Sequence, residues 1–397
     1  MSEKDTITSQ PPRPGGSITG VVVVTAALAL AALPLFMVGG LAVQMREELG
    51  FGEAALGLGV TIGFVVGALA APFGGRLADR IGPRTTTYLG MSLSSLALLG
   101  LGLATSGWGT MVAFLCLAGL SVALTDPGLA IMVDRTVPVP RQGTAFGIKE
   151  ASIPSASLVA GVAVPAIALT VGWRWAFAIG LVPLVAILML LPRLDVRMRV
   201  PGPKDATTTE PRRGPPRRTA ILLAAVAAAL ATAAASGVGI FLTTSAVAMG
   251  LSEGIAGILL AVGSVAGIIA RIGTGVMADR TGGPQFKLIA TMLTIGALTM
   301  ALGGSGNTIL LIIGTLGAFT GGWAWTGLFF LSLVRTNPDR PGAAAGIGIA
   351  GLGVGNASGP YLFGLVAESF SYGAAWLAAA IAAGVAAVFM AMARSRF

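Results

Sequence analysis

The chain has 397 residues, of which 55% are apolar and 10% are charged, and its formal net charge is +9 at pH 7. A soluble globular domain carries about 25% charged residues, so this composition excludes a protein whose surface faces mainly water and indicates a solvent that is largely lipid. The absence of His excludes imidazole proton relays and His-based metal sites, and the single Cys excludes an internal disulfide.

Twelve apolar segments are long enough to cross a bilayer, because a hydrocarbon core of about 30 Å requires about 20 residues of helix. Lipid cannot satisfy the polar groups of an open strand, so each segment is predicted to be a helix. The predicted spans are 18–44, 55–78, 85–105, 110–134, 143–168, 175–192, 220–248, 254–277, 286–304, 308–332, 343–366 and 373–393.

Polar segments outside these spans divide the chain into two halves. Residues 1–17 are rich in Pro and Gly and are predicted to form a disordered cytoplasmic tail, and residues 194–219 combine basic residues with prolines, as a solvated linker does. We therefore expect an N-terminal six-helix bundle over 18–193 and a C-terminal six-helix bundle over 220–397. The predicted fold class is an all-α membrane protein.

Basic residues are concentrated in alternate loops. Arg76, Arg80 and Arg84 lie in one of these loops and further Arg residues lie in the linker, whereas the loops on the other side contain only Arg46 and Arg174. Because loops rich in Lys and Arg stay in the cytoplasm, we expect a multi-pass protein of the cell inner membrane with both termini and the linker in the cytoplasm. Topology thus explains the net positive charge, and no nucleic-acid partner is expected.

A charged motif after the second span recurs 200 positions later. Residues 75–84 read GRLADRIGPR and residues 275–282 read GVMADRTG. The pattern Gly-x-x-Glu-x-x-x-Gly at 50–57 also recurs at 250–257, and the start of the fifth span at 141–147 resembles 340–346. Both halves therefore have the same orientation, which predicts a parallel repeat about an axis along the membrane normal, as in secondary transporters.

These motifs resemble the Major Facilitator Superfamily over nearly the whole chain, and the sequence GWRWAF at 172–177 is also typical of that family. The resemblance implies a twelve-helix secondary transporter that works by alternating access, with the repeated loops locking the two halves together on the cytoplasmic side. It places Asp79 against the eleventh span near Gly342, and Asp279 against the fifth span near Gly143. The alternative is that these loops only set the topology. The implied gating residues are Gly75, Asp79, Arg80, Gly82, Arg84, Gly275, Asp279, Arg280 and Gly282.

Three charged residues lie within the fourth and fifth spans, where a charge is costly and usually faces the bundle interior or water. Asp126 precedes the end of its span at Asp134 by eight residues, and Lys149 follows Gln142 by seven. At about 1.5 Å per residue these positions are about 12 Å and about 10 Å deep, so an ion pair between Asp126 and Lys149 is feasible. Glu150 lies about 100° further round the helix and is expected to point away from Lys149.

Two interpretations of this cluster are open, and they are compatible if substrate breaks the pair. In the functional one, Lys149 attracts an anionic substrate group and Asp126 or Glu150 takes up a proton, since a carboxylate held partly out of water is protonated more readily. In the structural one, the ion pair only holds the two spans together. Pro154 is expected to kink the fifth span nearby.

The second half contains further candidates for substrate contact. Trp323 in the tenth span and Asn356 in the eleventh are these candidates. The alternative role of Trp323 is core packing, and that of Asn356 is a hydrogen bond across helices. Trp323 and Trp325 are about 200° apart on a helix, so at most one lines a cavity. Arg271, four residues before Gly275, is expected to lie near the cytoplasmic edge and to reach toward water.

The energy source is inferred from motifs that the sequence does not contain. There is no Gly-x-x-x-x-Gly-Lys-Ser/Thr loop, so an ion or substrate gradient is expected instead of ATP. No Ser-His pair or metal-binding constellation occurs, and we expect neither an enzyme nor a cofactor. We predict a monomeric, proton-coupled carrier of a small organic solute, with an anionic solute favoured by Lys149.

Two alternatives to this prediction remain. One is an exporter of drugs or amphipathic compounds, although the Gly-Pro-x-x-Gly-Gly signature of many drug antiporters is absent from the fifth span, where 161–165 read GVAVP. The other is a non-transporting membrane receptor on the same fold, against which the intact loops in both halves argue.

Overall fold

The computed structural model describes residues 18–137, 141–190, 218–337 and 341–397. All regular secondary structure in these four ranges is helical. The predicted tail at 1–17 and nearly all of the predicted linker at 194–219 lie outside the described residues.

Twelve long helical segments, numbered α1 to α12, occupy the positions of the predicted spans. Within the described residues, ten of them are long and apolar enough to cross a membrane; α6 is shorter, and α11 is a helix of 29 residues. A short helix, Ala42–Leu49, follows α1. The twelve segments are α1 Ile18–Gly40, α2 Glu53–Ile81, α3 Pro83–Leu103, α4 Trp108–Thr136, α5 Gln142–Val171, α6 Trp173–Met189, α7 Arg218–Ala248, α8 Glu253–Thr281, α9 Phe286–Gly303, α10 Thr308–Thr336, α11 Pro341–Ser369 and α12 Tyr372–Arg394.

α5 is interrupted beside the charged residues that the sequence places in it. Its first helical part ends at Glu150 and the next begins at Ser152. Pro154 has no N–H to donate to the carbonyl four residues earlier, and its ring clashes with that carbonyl. The Glu150 carbonyl is therefore left without its helical partner, and the predicted distortion at Pro154 takes the form of a break within one turn of it.

α10 is also interrupted in its middle. Its first part, Thr308–Gly317, continues as a π-helical segment, Ala318–Gly322, and regular helix resumes at Thr326. Residues 323–325 lie between these parts, outside regular helix. Main-chain polar groups at this break need partners other than helical ones, because lipid supplies none.

The two halves meet through two helix pairs that the sequence repeat relates. A Cβ atom on Gly257 of α8 would lie 2.6 Å from the carbonyl oxygen of Gly161 of α5, and one on Gly57 of α2 would overlap the carbonyl of Pro360 of α11. Gly57 and Gly257 are 200 positions apart, and Gly161 and Pro360 are 199 apart. The repeat in the sequence thus corresponds to pseudo-symmetric contacts between the halves.

The two helix pairs differ at one end of the bundle. We call the end that holds 75–84 and 275–282 the basic end, and the end that holds Ala42–Leu49 the opposite end. Toward the basic end, a Cβ on Gly275 would still lie 2.5 Å from the Gly143 carbonyl, so α5 and α8 remain in contact. On the other side, a Cβ on Gly353 of α11 would approach only Ala68 of α2, at 3.8 Å, and one on Gly346 would have no neighbour within 4 Å. α2 and α11 therefore separate toward the basic end.

Carboxylates join the two halves at the opposite end. The N–H of Ala54, in the first turn of α2, donates to Glu368 of α11 at 2.7 Å, where the helix dipole favours a negative charge. Gln44 donates to Glu253, the first residue of α8. The first bond lies at the α2–α11 pair, and the second joins the short helix Ala42–Leu49 of the first half to α8 of the second half.

Another carboxylate at the opposite end, Glu48, packs against the start of α6. It accepts hydrogen bonds from the Arg174 guanidinium at 2.7 Å and from the Trp173 indole at 2.6 Å. The bond from Arg174 is the main reason that the pKa of Glu48 is lowered. The short helix after α1 is thereby fixed to the first half.

Close packing at Gly161 predicts a stability cost for a larger residue there. The Gly161→Ala variant places its methyl group against the main chain of Gly257 and Ala261, and overpacking of this kind costs about 1–3 kcal/mol. We expect a lower thermal midpoint in detergent. The matched control is Gly109→Ala, because a Cβ at Gly109 meets no atom within 4 Å. An equal midpoint for both variants would contradict the close contact.

Candidate substrate and coupling site

Lys149 of α5 is the centre of a buried ionic cluster. Its Nζ lies 2.7 Å from Oδ1 of Asp126 on α4 and 3.3 Å from Oε1 of Glu150. The Lys149 side chain is 8% exposed, whereas that of Asp126 is 45% exposed and that of Glu150 is 16% exposed. The ion pair that the matching depths of Asp126 and Lys149 made feasible is therefore present. Asp126 is its more exposed member.

The expectation that Glu150 points away from Lys149 is wrong. The two residues are neighbours on the helix, and their Cβ directions do diverge by about 100°. However, the long flexible stem of a lysine lets its ammonium group swing sideways, so that it reaches Asp126 and Glu150 together. Glu150 also accepts a hydrogen bond from the Thr326 hydroxyl of α10 at 3.3 Å. One carboxylate therefore contacts both halves of the protein.

Arg271 of α8 does not reach toward water, and that prediction is also wrong. The residue is 2% exposed. Its guanidinium donates to the Trp323 carbonyl at 3.0 Å and to the Glu150 carbonyl. Both carbonyls lie at the helix breaks of α10 and α5, so Arg271 supplies donors that the broken helices lack.

Part of the Arg271 guanidinium remains unused. A guanidinium has five N–H donors in a fixed planar arrangement, and Nε of Arg271 is buried without a hydrogen-bond partner among the described residues. The sequence contained one signal for its role, since Pro154 leaves the Glu150 carbonyl unpaired. The break in α10 had no such signal, so the second acceptor was not foreseeable.

Trp323 forms an aromatic wall beside Arg271. Its ring lies 6.0 Å from that of Phe36 and 5.7 Å from that of Phe319, and the Arg271 guanidinium lies 5.6 Å from its centroid. A cation in this position is attracted by the ring face. Trp325 is fully buried and bonds to its own helix break, donating to the Gly322 carbonyl at 2.7 Å.

The cluster of Asp126, Lys149, Glu150 and Arg271 is called the central charge cluster below. It combines two formal positive and two formal negative charges. α4 and α5 supply three of its residues from the first half, and α8 supplies the fourth from the second half. Movement of one half against the other would therefore change the cluster.

Other polar residues differ in how close they come to this cluster. Asn356, predicted to contact substrate, is half-buried on α11. It makes no hydrogen bond to the cluster or to any other residue that the structure describes, and its role stays a prediction. The hydroxyl groups of Thr125 and Ser152, adjacent to the cluster along α4 and α5, are buried without hydrogen-bond partners among the described residues. Neither residue is among the predicted site residues.

At the basic end, the contact predicted between Asp279 and the start of α5 is present. The carboxylate of Asp279 accepts from the main-chain N–H of Gly143 at 2.7 Å and of Thr144 at 2.8 Å, and from the Thr144 hydroxyl at 2.6 Å. The negative charge thus lies at the positive end of a helix from the other half. The gating role inferred for this contact stays a prediction.

The repeated loops agree in their turn glycines. Gly82 and Gly282 end α2 and α8 with φ values of 90° and 70°, a region that glycine occupies without steric cost.

Asp79 is exposed, and its predicted contact near Gly342 adjoins residues outside the described ranges, so that contact stays a prediction. Gly275 is in the α5 contact, whereas a Cβ on Gly75 would meet no atom within 4 Å. Of the remaining predicted gating residues, Arg80 and Arg280 lie at the ends of α2 and α8, and Arg84 lies at the start of α3.

The helices and the repeat-related contacts between the halves define a helical membrane protein built from two related bundles. A model of the Major Facilitator Superfamily matches residues 24–303. The chain therefore belongs to the Major Facilitator Superfamily. A curated relative, the uncharacterized MFS-type transporter Rv1250 of Mycobacterium tuberculosis, is 33% identical over 124 residues. That stretch covers 30% of this chain and 21% of the relative, so the chain matches about a fifth of the relative's length.

Solved structures share the fold along nearly the whole chain. One is a bacterial homolog of the human lysosomal transporter Spinster in an inward-facing and occupied conformation, with a TM-score of 0.73, 14% identity, and coverage of 95% of this chain and 96% of that one. Another is the proton:xylose symporter XylE bound to 6-bromo-6-deoxy-D-glucose, with a TM-score of 0.70, 16% identity, and coverage of 94% and 95%. These similarities establish the fold.

The central charge cluster predicts energetic coupling between Asp126 and Lys149. The Lys149→Met variant leaves two carboxylates without their cation, and because Asp126 is half-exposed we expect a cost below the about 3–5 kcal/mol of a fully buried pair. The double variant Lys149→Met with Asp126→Asn should recover at least half of this loss. Reversible unfolding of the wild type, both single variants and the double variant measures the coupling. Additive losses in the double variant would mean that the pair contributes no coupling energy.

Proposed function

We propose that this protein moves a small organic anion together with a proton across the membrane by alternating access. The observation that carries the proposal is the central charge cluster, which is electrically balanced, shared between the two halves and, except for the half-exposed Asp126, largely buried. A transport site must be reachable from either side in turn, and a cluster at the contact between two moving halves meets that requirement.

The charge balance of the cluster supplies a coupling mechanism. Protonation of Asp126 gives the cluster a net charge of +1 and releases Lys149 from one of its two carboxylates. A monovalent anion at Lys149 then restores neutrality. Because an uncompensated buried charge is costly, the neutral states, either empty or loaded with proton and anion, are the ones that change conformation. A cation bound in place of the proton would leave the occluded cluster charged, which favours an anionic solute over a cationic one.

Access to the cluster is proposed to alternate through the two ends. We propose that 18–193 and 220–397 move as two bundles joined by the linker at 194–219, in the inner membrane of the cell and as a monomer, with both termini in the cytoplasm. The separation of α2 from α11 toward the basic end, with polar bonds between the halves at the opposite end, supports a state that is opening toward the basic end. Asp279 and its counterpart Asp79 are proposed to close that end.

The proposal is tested by flux into proteoliposomes with imposed pH gradients, after a thermal-shift screen of organic anions has selected a ligand. Lys149→Ala should abolish anion transport while expression is retained. Asp126→Asn fixes the cluster in its positive form, so anion exchange should persist while the pH gradient no longer drives accumulation. Glu47→Gln is the control, because it makes an equivalent change at an exposed carboxylate and should leave the pH response intact.

Other outcomes would favour the alternative functions. Proton-driven movement of uncharged or cationic amphipathic compounds, with no response to anions, would support an exporter. Tight ligand binding without flux of any candidate would support a membrane receptor. Unchanged anion transport in Lys149→Ala would remove Lys149 from the substrate site.

The proposed closure at the basic end has its own test. Asp279→Ala removes all three bonds to the start of α5, and hydrogen bonds to a charged group contribute about 1.5–3 kcal/mol each. We expect hydrogen exchange at the amides of Gly143 and Thr144 to accelerate by at least about tenfold, with a smaller increase in Thr144→Val. Thr281→Ala is the control, since the Thr281 hydroxyl bonds only within α8 and to Gln285. Unchanged exchange in Asp279→Ala would contradict the closure.

A further inference from the structure

A groove on the outer surface of the second half combines an apolar channel with a positively charged rim. The channel, of about 470 Å³, runs between α9 and α12, and an adjoining cavity of about 580 Å³ lies at the basic end. Lys287 and Arg394 line both, and Arg335 lines the second. We name these three residues the cationic rim.

Apart from Lys287 and Arg394, the side chains that line the channel offer no free hydrogen-bond donor to a polar ligand. The channel wall is made of small and aliphatic residues of α9 and α12, such as Ala290, Gly384 and Ala387. Its two threonines are satisfied within their own helix, since Thr291 donates to Lys287 O at 3.1 Å and Thr294 to Ala290 O at 2.9 Å. The surface presented to an occupant is therefore methyl and methylene groups, which suit a hydrocarbon chain.

The length of the channel also suits a hydrocarbon chain. Its lining on α9 extends from Lys287 to Leu298, a span of eleven helical steps, which is about 16 Å along a helix. Both helices are membrane-spanning segments, so the channel opens onto the region that acyl chains occupy. Leu298 and Val388 at its edges are 66% and 58% exposed.

The cationic rim is positioned for a phosphate group. Arg335 is anchored through one guanidinium nitrogen, which donates to the carbonyls of Gly283 at 3.1 Å and Ala278 at 3.4 Å, and its other nitrogens make no hydrogen bond to the residues that the structure describes. The side chains that line the rim include no acidic residue. Phe397 also lines this cavity, with its ring stacked on that of Phe286 at 4.7 Å between the ring centroids. Positive charge remains for a phosphodiester.

We propose that this groove is a binding site for an anionic phospholipid, whose phosphate contacts the cationic rim and one of whose acyl chains lies between α9 and α12. The charge complementarity is of the kind that basic pockets between membrane helices offer to acidic headgroups. The site is separate from the central charge cluster and does not depend on the transported solute.

The test measures how much lipid the full chain retains in native mass spectrometry, after purification in a neutral detergent containing phosphatidylglycerol or phosphatidylcholine. We expect retention of phosphatidylglycerol over phosphatidylcholine. Lys287→Gln with Arg394→Gln should weaken it about 30-fold, as two cations at about 1 kcal/mol each would give. The charge-matched control is Arg76→Gln with Arg396→Gln, at exposed positions of the basic end outside the groove, and it should retain the lipid.

A second variant separates a lipid from a free phosphate. A Cβ at Gly384 makes only an ordinary contact with Ala297 at 3.8 Å, so Gly384→Leu fills the channel without overlapping the main chain. It should abolish lipid retention and leave any weak binding of glycerol phosphate unchanged. Full retention in either the rim variant or Gly384→Leu would overturn the proposal. Retention of inorganic phosphate equal to that of phosphatidylglycerol would also overturn the proposal, in favour of a site for a free anion.

Discussion

The Arg271 side chain satisfies main-chain carbonyls on two helices that are both broken inside the membrane. Water is absent from the lipid core, so a break at that depth persists only where a protein group replaces the missing donor. α5 breaks because Pro154 cannot bond to the Glu150 carbonyl, and Arg271 takes the place of the missing N–H. The same side chain reaches the Trp323 carbonyl of α10. The interrupted helices, the position of Glu150 and the balance of charge around Lys149 all depend on this one guanidinium.

The features that the sequence predicted are those that local rules determine. Hydropathy and length set the twelve helices, and the internal repeat was visible in the spacing of glycines, most of which have positive φ or lie in close contacts. The contact of Asp279 with the start of α5 was implied by the resemblance to the Major Facilitator Superfamily. Glu150 and Arg271 were predicted wrongly because depth along a helix does not reveal which helix lies beside a residue. Their positions depend on the flexibility of lysine and on the break in α10, and neither is encoded in residue spacing.

The two helix pairs between the halves have unequal roles in this conformation. Glycines keep α5 and α8 in contact from Gly161 to Gly143, where a side chain at most of these positions would meet the main chain of the other helix. The α2 and α11 pair has an equally close contact only at the opposite end. A contact made of main-chain surfaces has few side chains to rearrange, which suits a surface about which two bodies turn.

The internal repeat separates what the two halves share from what they do not. By the offsets of the repeat, the counterparts of Asp126, Lys149, Glu150 and Arg271 are Thr326, Gly348, Ile349 and Ala71, and none of these is charged. The turn glycines and Asp79 and Asp279, in contrast, occur in both copies. The residues proposed to close the basic end are therefore present in both halves, whereas the central charge cluster has no second copy. The site proposed here for the transported solute is therefore the part of the protein that departs from its internal symmetry.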